Sequence, residues 1–187
     1  MNYLEEKVLK EALVLDESIL KVSHFINQQI DPAVLDFAGS AFYDYFKNRG
    51  ITKVLTIEAS GIAYATVCAL RLNVPLVFAK KGSSKLSGDD YSSEVFSFTK
   101  KQSWVVWVAK RLLSSDDVVL VIDDFLADGN AILGLLDIIK QAGANCEGAG
   151  IVIEKSFQNG HQLLIEQGID LYSLVKVKSL AGNVVQL

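Results

Sequence analysis

Cysteine, histidine, proline and methionine are scarce in this 187-residue chain, at two, two, two and one residues. Cys68 and Cys146 sit among apolar or small residues with no metal-ligand neighbours. They read as small buried thiols, the kind a reducing cytosol preserves, and not as a disulfide framework. His24 and His161 are far apart in the chain, which argues against a zinc site. Apolar runs, such as 118–122, are far below the about 20 residues needed to span a bilayer. The opening "MNYLEEKVLKEALVLDES" is acidic and amphipathic, unlike a secretory or transit peptide. Basic charge is not in excess: 18 Lys and Arg stand against 22 Asp and Glu, a net charge of −4. No general attraction to nucleic acid or to an anionic membrane is expected from that balance.

What is present suits a globular protein, with 50% hydrophobic and 21% charged residues. The length allows one domain with a sizeable core, residues 1–187, and is short for two. No internal repeat or low-complexity linker interrupts it. Asp31-Pro32 predicts an N-cap and a first helical residue, and Val34, Ala38, Ala41, Phe42, Tyr45 and Phe46 follow at helical spacing up to Gly50. Strands are expected over 53–57 and 75–80, with a helix over 61–73 between them. The polar, glycine-containing stretch 81–92 predicts an exposed mobile loop. Further strands are expected over 94–100, 103–109, 118–122, 148–154 and 170–177, and helices over 130–142 and about 158–167. Apolar strands alternating with helices predict an α/β fold, an open and mostly parallel sheet covered on both faces. Residues 1–30 and the extreme C-terminus fall outside this alternation and could together form a small cap.

The stretch "VVLVIDDFLADGNAILG" (118–134) carries the chemistry. A buried strand runs into Asp123 and Asp124, then into a small turn at Asp128, Gly129 and Asn130. In open parallel sheets, ligands bind beyond the carboxyl ends of the strands. The helix that starts at about 130 offers unpaired amides and a positive dipole end to a phosphate. Gly129 permits close backbone approach, and the carboxylates can accept hydrogen bonds from sugar hydroxyls. A phosphorylated sugar fits this arrangement. Three rivals share part of the pattern. A P-loop nucleotidase needs an upstream Gly-Lys-Ser/Thr loop, which is missing. A response-regulator receiver usually places its acidic pair after the first strand, and this pair follows one near mid-chain. A structural turn capped by aspartates remains open.

"VLVIDDFLADGNA" resembles the phosphoribosyl pyrophosphate signature of the type I phosphoribosyltransferases. "ILKVSHFINQQIDP" (19–32), "TIEASGIA" (56–63), "VFAKKGS" (77–83), "VFSFTK" (95–100) and "IVIEKSFQNG" (151–160) are similar to the xanthine-using members, in the same order along nearly the whole chain. The resemblance implies a type I fold with a base-binding hood from residues 1–30 and the extreme C-terminus. It also implies purine salvage in a cytoplasmic homodimer, making xanthosine monophosphate and pyrophosphate from xanthine and phosphoribosyl pyrophosphate. Ala127, Asp128, Gly129, Asn130 and Ala131 would wrap the 5′-phosphate, with Asp123 and Asp124 catalytic beneath the ribose. Ser60, Gly61, Lys80 and Lys81 would hold pyrophosphate, the lysines often serving a neighbouring subunit in relatives. Leu20, Asn27, Lys155 and Phe157 would receive the base. Magnesium would come with the pyrophosphate, since no dedicated protein cage is visible.

Each assignment has a plainer counterpart: an N-cap serine at Ser60, solvated charge at Lys80 and Lys81, core packing at Leu20 and Phe157. Asp128 departs from the asparagine or threonine of relatives, and its charge should repel phosphate unless it points away. Ala127 replaces the aspartate common in hypoxanthine and guanine enzymes, which is consistent with an acidic purine, but adenine-using relatives also lack that aspartate. The apolar "SWVVWVA" (103–109) suits either a buried hairpin or a subunit interface. Sibling enzymes for guanine, hypoxanthine or adenine, and a non-catalytic ligand-sensing regulator, are the remaining functional alternatives.

Overall fold

A computed structural model describes residues 1–82, 88–97 and 102–187. The elements in chain order are α1 (Tyr3–Glu11), β1 (Leu13–Val14), β2 (Leu20–Lys21), α2 (Pro32–Phe46), β3 (Lys53–Ile57), α3 (Gly61–Leu72) and β4 (Leu76–Lys81). They continue with β5 (Asp90–Ser97), β6 (Gln102–Ala109), β7 (Val118–Leu126), α4 (Asn130–Gln141), β8 (Asn145–Lys155), α5 (Gly160–Glu166) and β9 (Leu171–Val177). Pro32 opens α2 as expected, and the Asp31 carboxylate accepts from the Ala33 amide at 2.8 Å. Of the loop expected over 81–92 and the strand expected over 94–100, residues 83–87 and 98–100 lie outside the described residues.

Seven strands form one sheet in the order β5-β6-β4-β3-β7-β8-β9. The run from β4 to β9 is parallel, and the β5–β6 hairpin joins its edge antiparallel to β4. Side chains alternate across the sheet, as period two requires. Val54, Leu120 and Ile122 face a cluster built with α1, α2 and α3, while Leu55, Val119 and Val121 face α4 and α5. Each such side chain, fully buried, contributes roughly 1.5–3 kcal/mol. Among the described residues no helix is long and apolar enough to cross a membrane.

Several strands outrun their apolar cores. β7 continues to Leu126, so Asp123 and Asp124 lie within it and not beyond its end. The cause is pairing: β8 starts earlier than expected, at Asn145, and keeps bonding β7 out to the Leu126–Glu154 pair. Backbone amides are satisfied there whatever the side chains carry. β4 likewise reaches Lys81 because β6 pairs with it, Lys80 opposite Trp107 and Lys81 opposite Val106. Asn2 caps α1 and also donates to the Leu174 carbonyl at 2.7 Å, which ties the N-terminal segment to β9. Val185 and Leu187 pack on the same apolar cluster as Leu4 and Val8.

Candidate active site

β7 ends where charge is hardest to hold. Asp123 and Asp124 are only 5% and 8% exposed, and the Asp124 amide donates to Asp123 Oδ1 at 2.9 Å. Burial, then the neighbouring Asp124 carboxylate, raises Asp123 well above the usual carboxylate range, against an opposing pull from Lys81. The start of α3 presses on this carboxylate. A Cβ on Gly61 would fall 2.6 Å from Asp123 Oδ1 and 2.4 Å from Thr56 Oγ1, so only glycine fits. Ser60 takes the N-cap position of α3, as the plainer reading expected, but its side chain makes no capping hydrogen bond.

Beyond β7 the chain turns through Gly129, at φ 83°, into α4. This loop lies against the start of α5: the Gly160 amide donates to the Ala127 carbonyl at 3.0 Å. A cavity of about 190 Å³ opens over it, lined by Phe96, Trp104, Phe125 and residues 126–132. Predicted residues Ala127, Asp128, Gly129, Asn130 and Ala131 therefore share one concave surface at a helix N-terminus, the geometry that suits a phosphate.

The two lysines separate. Consecutive strand residues face opposite ways. Lys81 shares a face with its partner Val106 and acts electrostatically on Asp123, while Lys80 shares the other face with Trp107. The Lys81 amide also donates to Glu58 Oε1 at 2.7 Å, fastening the 58–61 turn to β4.

Lys155, at the end of β8, is brought to the same region. Its ammonium donates to the Ser18 carbonyl at 2.7 Å and lies 5.8 Å from the centre of the Phe125 ring, which lines the cavity. Burial lowers its pKa, against the favourable charges of Asp128 and Asp16. Leu20 is buried in the N-terminal apolar cluster, Asn27 is exposed, and Phe157 is 38% exposed in the turn before α5. These three are not among the residues lining the phosphate-loop cavity.

Four positions escaped sequence reasoning. Tyr64, fully buried on α3, donates from its hydroxyl to the Ile26 carbonyl at 2.9 Å and so anchors the segment that carries Asn27. Gly160 underpins the phosphate loop. Thr56 holds a buried hydroxyl beside Asp123 with no hydrogen-bond partner among the described residues. Glu154, fully buried on β8, accepts from Ser156 and Ser173 and lies 3.0 Å from His161 Nδ1. An Asn-Gly pair at 159–160 was the only local signal for any of these.

The phosphoribosyl transferase domain family matches residues 27–164. A xanthine phosphoribosyltransferase of Staphylococcus aureus strain MRSA252 is 54% identical over all of this chain and 98% of its own length. The chain belongs to the phosphoribosyltransferase family. A second such protein, from strain JH9, is 53% identical over the same shares. Among solved structures, the Giardia lamblia adenine phosphoribosyltransferase complexed with 9-deazaadenine superposes with a TM-score of 0.75 at 27% identity. That match covers 84% of this phosphoribosyltransferase and 86% of that chain. The Rhodothermus marinus adenine enzyme, at 19% identity and a TM-score of 0.76 over 94% and 100% of the two chains, shares the fold. The open, mostly parallel sheet is thus the type I phosphoribosyltransferase architecture, and the chain is a glycosyltransferase.

Proposed function

We propose that this phosphoribosyltransferase joins xanthine to the ribose of 5-phosphoribosyl pyrophosphate, releasing xanthosine 5′-monophosphate and pyrophosphate. The observation that carries it is a buried Asp123–Asp124 pair running directly into the 127–131 loop at the start of α4, with the half-buried Lys155 against Phe125 on the cavity wall. The 54% identity to a xanthine enzyme over the full chain supports the choice of base. In the reaction a purine ring nitrogen bonds to the anomeric carbon as its bond to the pyrophosphate oxygen breaks. The electron pair departs with pyrophosphate, and the ring nitrogen loses its proton.

Positive charge grows on the ribose as the bond breaks. Asp124, fixed beneath the ring, favours it electrostatically without forming a covalent intermediate, and Asp123, more readily protonated beside it, contacts the ribose hydroxyls. The amides at the start of α4 and the loop 127–131 hold the 5′-phosphate. Ser60, Gly61 and Lys81 hold the leaving pyrophosphate from the same chain. Lys80 faces outward and would serve a neighbouring copy in a homodimer. Magnesium fits the donor chemistry here, because the two aspartates and a diphosphate offer only oxygen, the ligand hard cations take. When bound it would neutralise diphosphate charge.

Xanthine carries oxygens at both pyrimidine-ring positions. Lys155 can donate to one, and the Asn27 amide can donate or accept beside the other. Adenine presents an amino group where Lys155 needs an acceptor, which disfavours it. Residues 1–30 and the extreme C-terminus form the hood over the base, with Leu20 packing it and Phe157 stacking on the purine. Within a single domain of residues 1–187, base, ribose and phosphate would lie in sequence along one edge. The balance of charge, −4 overall, favours a salvage enzyme over a nucleic-acid-binding regulator.

The deciding experiment mixes the protein, magnesium and 5-phosphoribosyl pyrophosphate with xanthine, guanine, hypoxanthine or adenine in turn. Pyrophosphate release should be fastest with xanthine. Faster release with another purine would reassign the base, and release with none would sink the enzymatic reading.

A further inference from the structure

Trp104 stands out because its indole nitrogen is buried and has no hydrogen-bond partner among the described residues. A buried, unpaired donor costs about 1–3 kcal/mol, so such groups call for an explanation. Trp104 lies on β6, on the face shared with Val106 and Lys81, and it lines the same cavity as Asp128, Gly129 and Asn130. Its ring is also the surface against which Lys81 rests: the ammonium lies 5.9 Å from the ring centre, within cation–π reach. One side chain therefore borders the cavity at the start of α4 and carries the lysine that acts on Asp123.

We propose that Trp104 is a binding residue for 5-phosphoribosyl pyrophosphate, holding the Lys81 ammonium on its ring face and donating its indole N–H to a phosphate oxygen seated in the 126–132 cavity. This rests on the phosphoribosyl-transfer reading and adds to it a contact from the edge hairpin. The arrangement also assigns a use to the apolar 103–109 stretch. Its even positions, Trp104, Val106 and Val108, turn toward the site and α4, with Val106 and Val108 buried. The nitrogen has almost no solvent-accessible surface here, so a ligand oxygen reaches it through a shift of the Trp104 side chain and then satisfies the orphaned donor. The ring would keep Lys81, whose stem is otherwise flexible, close to where pyrophosphate leaves.

The test exploits the presence of only two tryptophans. In a Trp107→Phe protein, which keeps an aromatic face near Lys80, Trp104 is the sole indole fluorophore. Its emission should change saturably on titration with magnesium 5-phosphoribosyl pyrophosphate, with a midpoint near the KM for that substrate. Trp104→Phe keeps the ring and removes the N–H. It should raise that KM roughly tenfold, the size of a lost hydrogen bond to a charged group, with the xanthine KM unchanged. Trp104→Leu, which also removes the ring, should lose more. Flat emission with turnover intact, or a Trp104→Phe protein with an unchanged KM, overturns the N–H contact. Trp104→Leu kinetics equal to those of Trp104→Phe overturn the hold on Lys81. Absence of turnover with every purine overturns the underlying reaction, and this contact with it.

Discussion

Gly129 and Gly160 lie backbone against backbone. A Cβ on Gly129 would sit 2.9 Å from Gly160 Cα, and one on Gly160 would meet the Gly129 amide nitrogen at 2.8 Å and the Ala127 carbonyl at 2.3 Å. The 127–131 loop is thus shaped from behind by the start of a helix 31 residues further on, counting from Gly129 to Gly160. Gly160→Ala should displace the loop, raising the KM for 5-phosphoribosyl pyrophosphate at least tenfold and costing about 1–3 kcal/mol of stability from overpacking. Steady-state kinetics and thermal melting would check both, and wild-type values would show that the loop does not depend on this contact.

Asp124→Asn removes a fixed negative charge while keeping shape. Turnover should fall about a hundredfold, as for loss of one electrostatic stabiliser, with circular dichroism unchanged. Unaltered kinetics in the purified, folded variant would remove Asp124 from the catalytic role.

Asp123 has a direct consequence for stability. Its pKa is raised in the folded protein, by burial first and then by Asp124. Above the ordinary carboxylate value the folded state therefore holds a proton that the unfolded chain has released. Stability is lost as pH rises from about 4 toward the raised value. Asp123→Asn cannot titrate, so it should melt above the native protein in mildly alkaline buffer, with the gap closing near pH ~4. Calorimetry across pH would show it, and a gap that stays constant or widens in acid would contradict the sign.

Under the proposed assignment Lys155→Ala would leave a base carbonyl without its donor, and it removes the tie to the Ser18 carbonyl. The KM for xanthine should rise roughly ten- to a hundredfold, as expected for a hydrogen bond to a charged group, with less effect on the other substrate. Equal affinity for xanthine would refute the assignment.

Asp128 lines the phosphate cavity, yet its charge also favours the Lys155 ammonium. Asp128→Asn should tighten 5-phosphoribosyl pyrophosphate several-fold by removing repulsion of order 1 kcal/mol at a partly exposed site, while drawing the Lys155 pKa lower still. Isothermal titration would measure the first effect. No gain would mean that the carboxylate points away from the ligand.

The order of strands and helices, the buried apolar runs and the acidic pair before a glycine turn were legible in residues alone, because periodicity and turn chemistry are local. The Asp31 cap and the helix at Gly61 follow from neighbouring residues in the same way. Strand ends were less legible. Pairing between β7 and β8 carries the ladder through Asp123 and Asp124, and no local pattern announces which neighbour will supply the hydrogen bonds. The tertiary structure alone decided which face each lysine takes, since the Lys80–Trp107 and Lys81–Val106 register depends on a strand more than twenty residues away. It alone set Gly160 behind Gly129, Tyr64 beneath Ile26 and Trp104 beside Lys81, because each contact is made by packing between elements that the chain itself keeps apart.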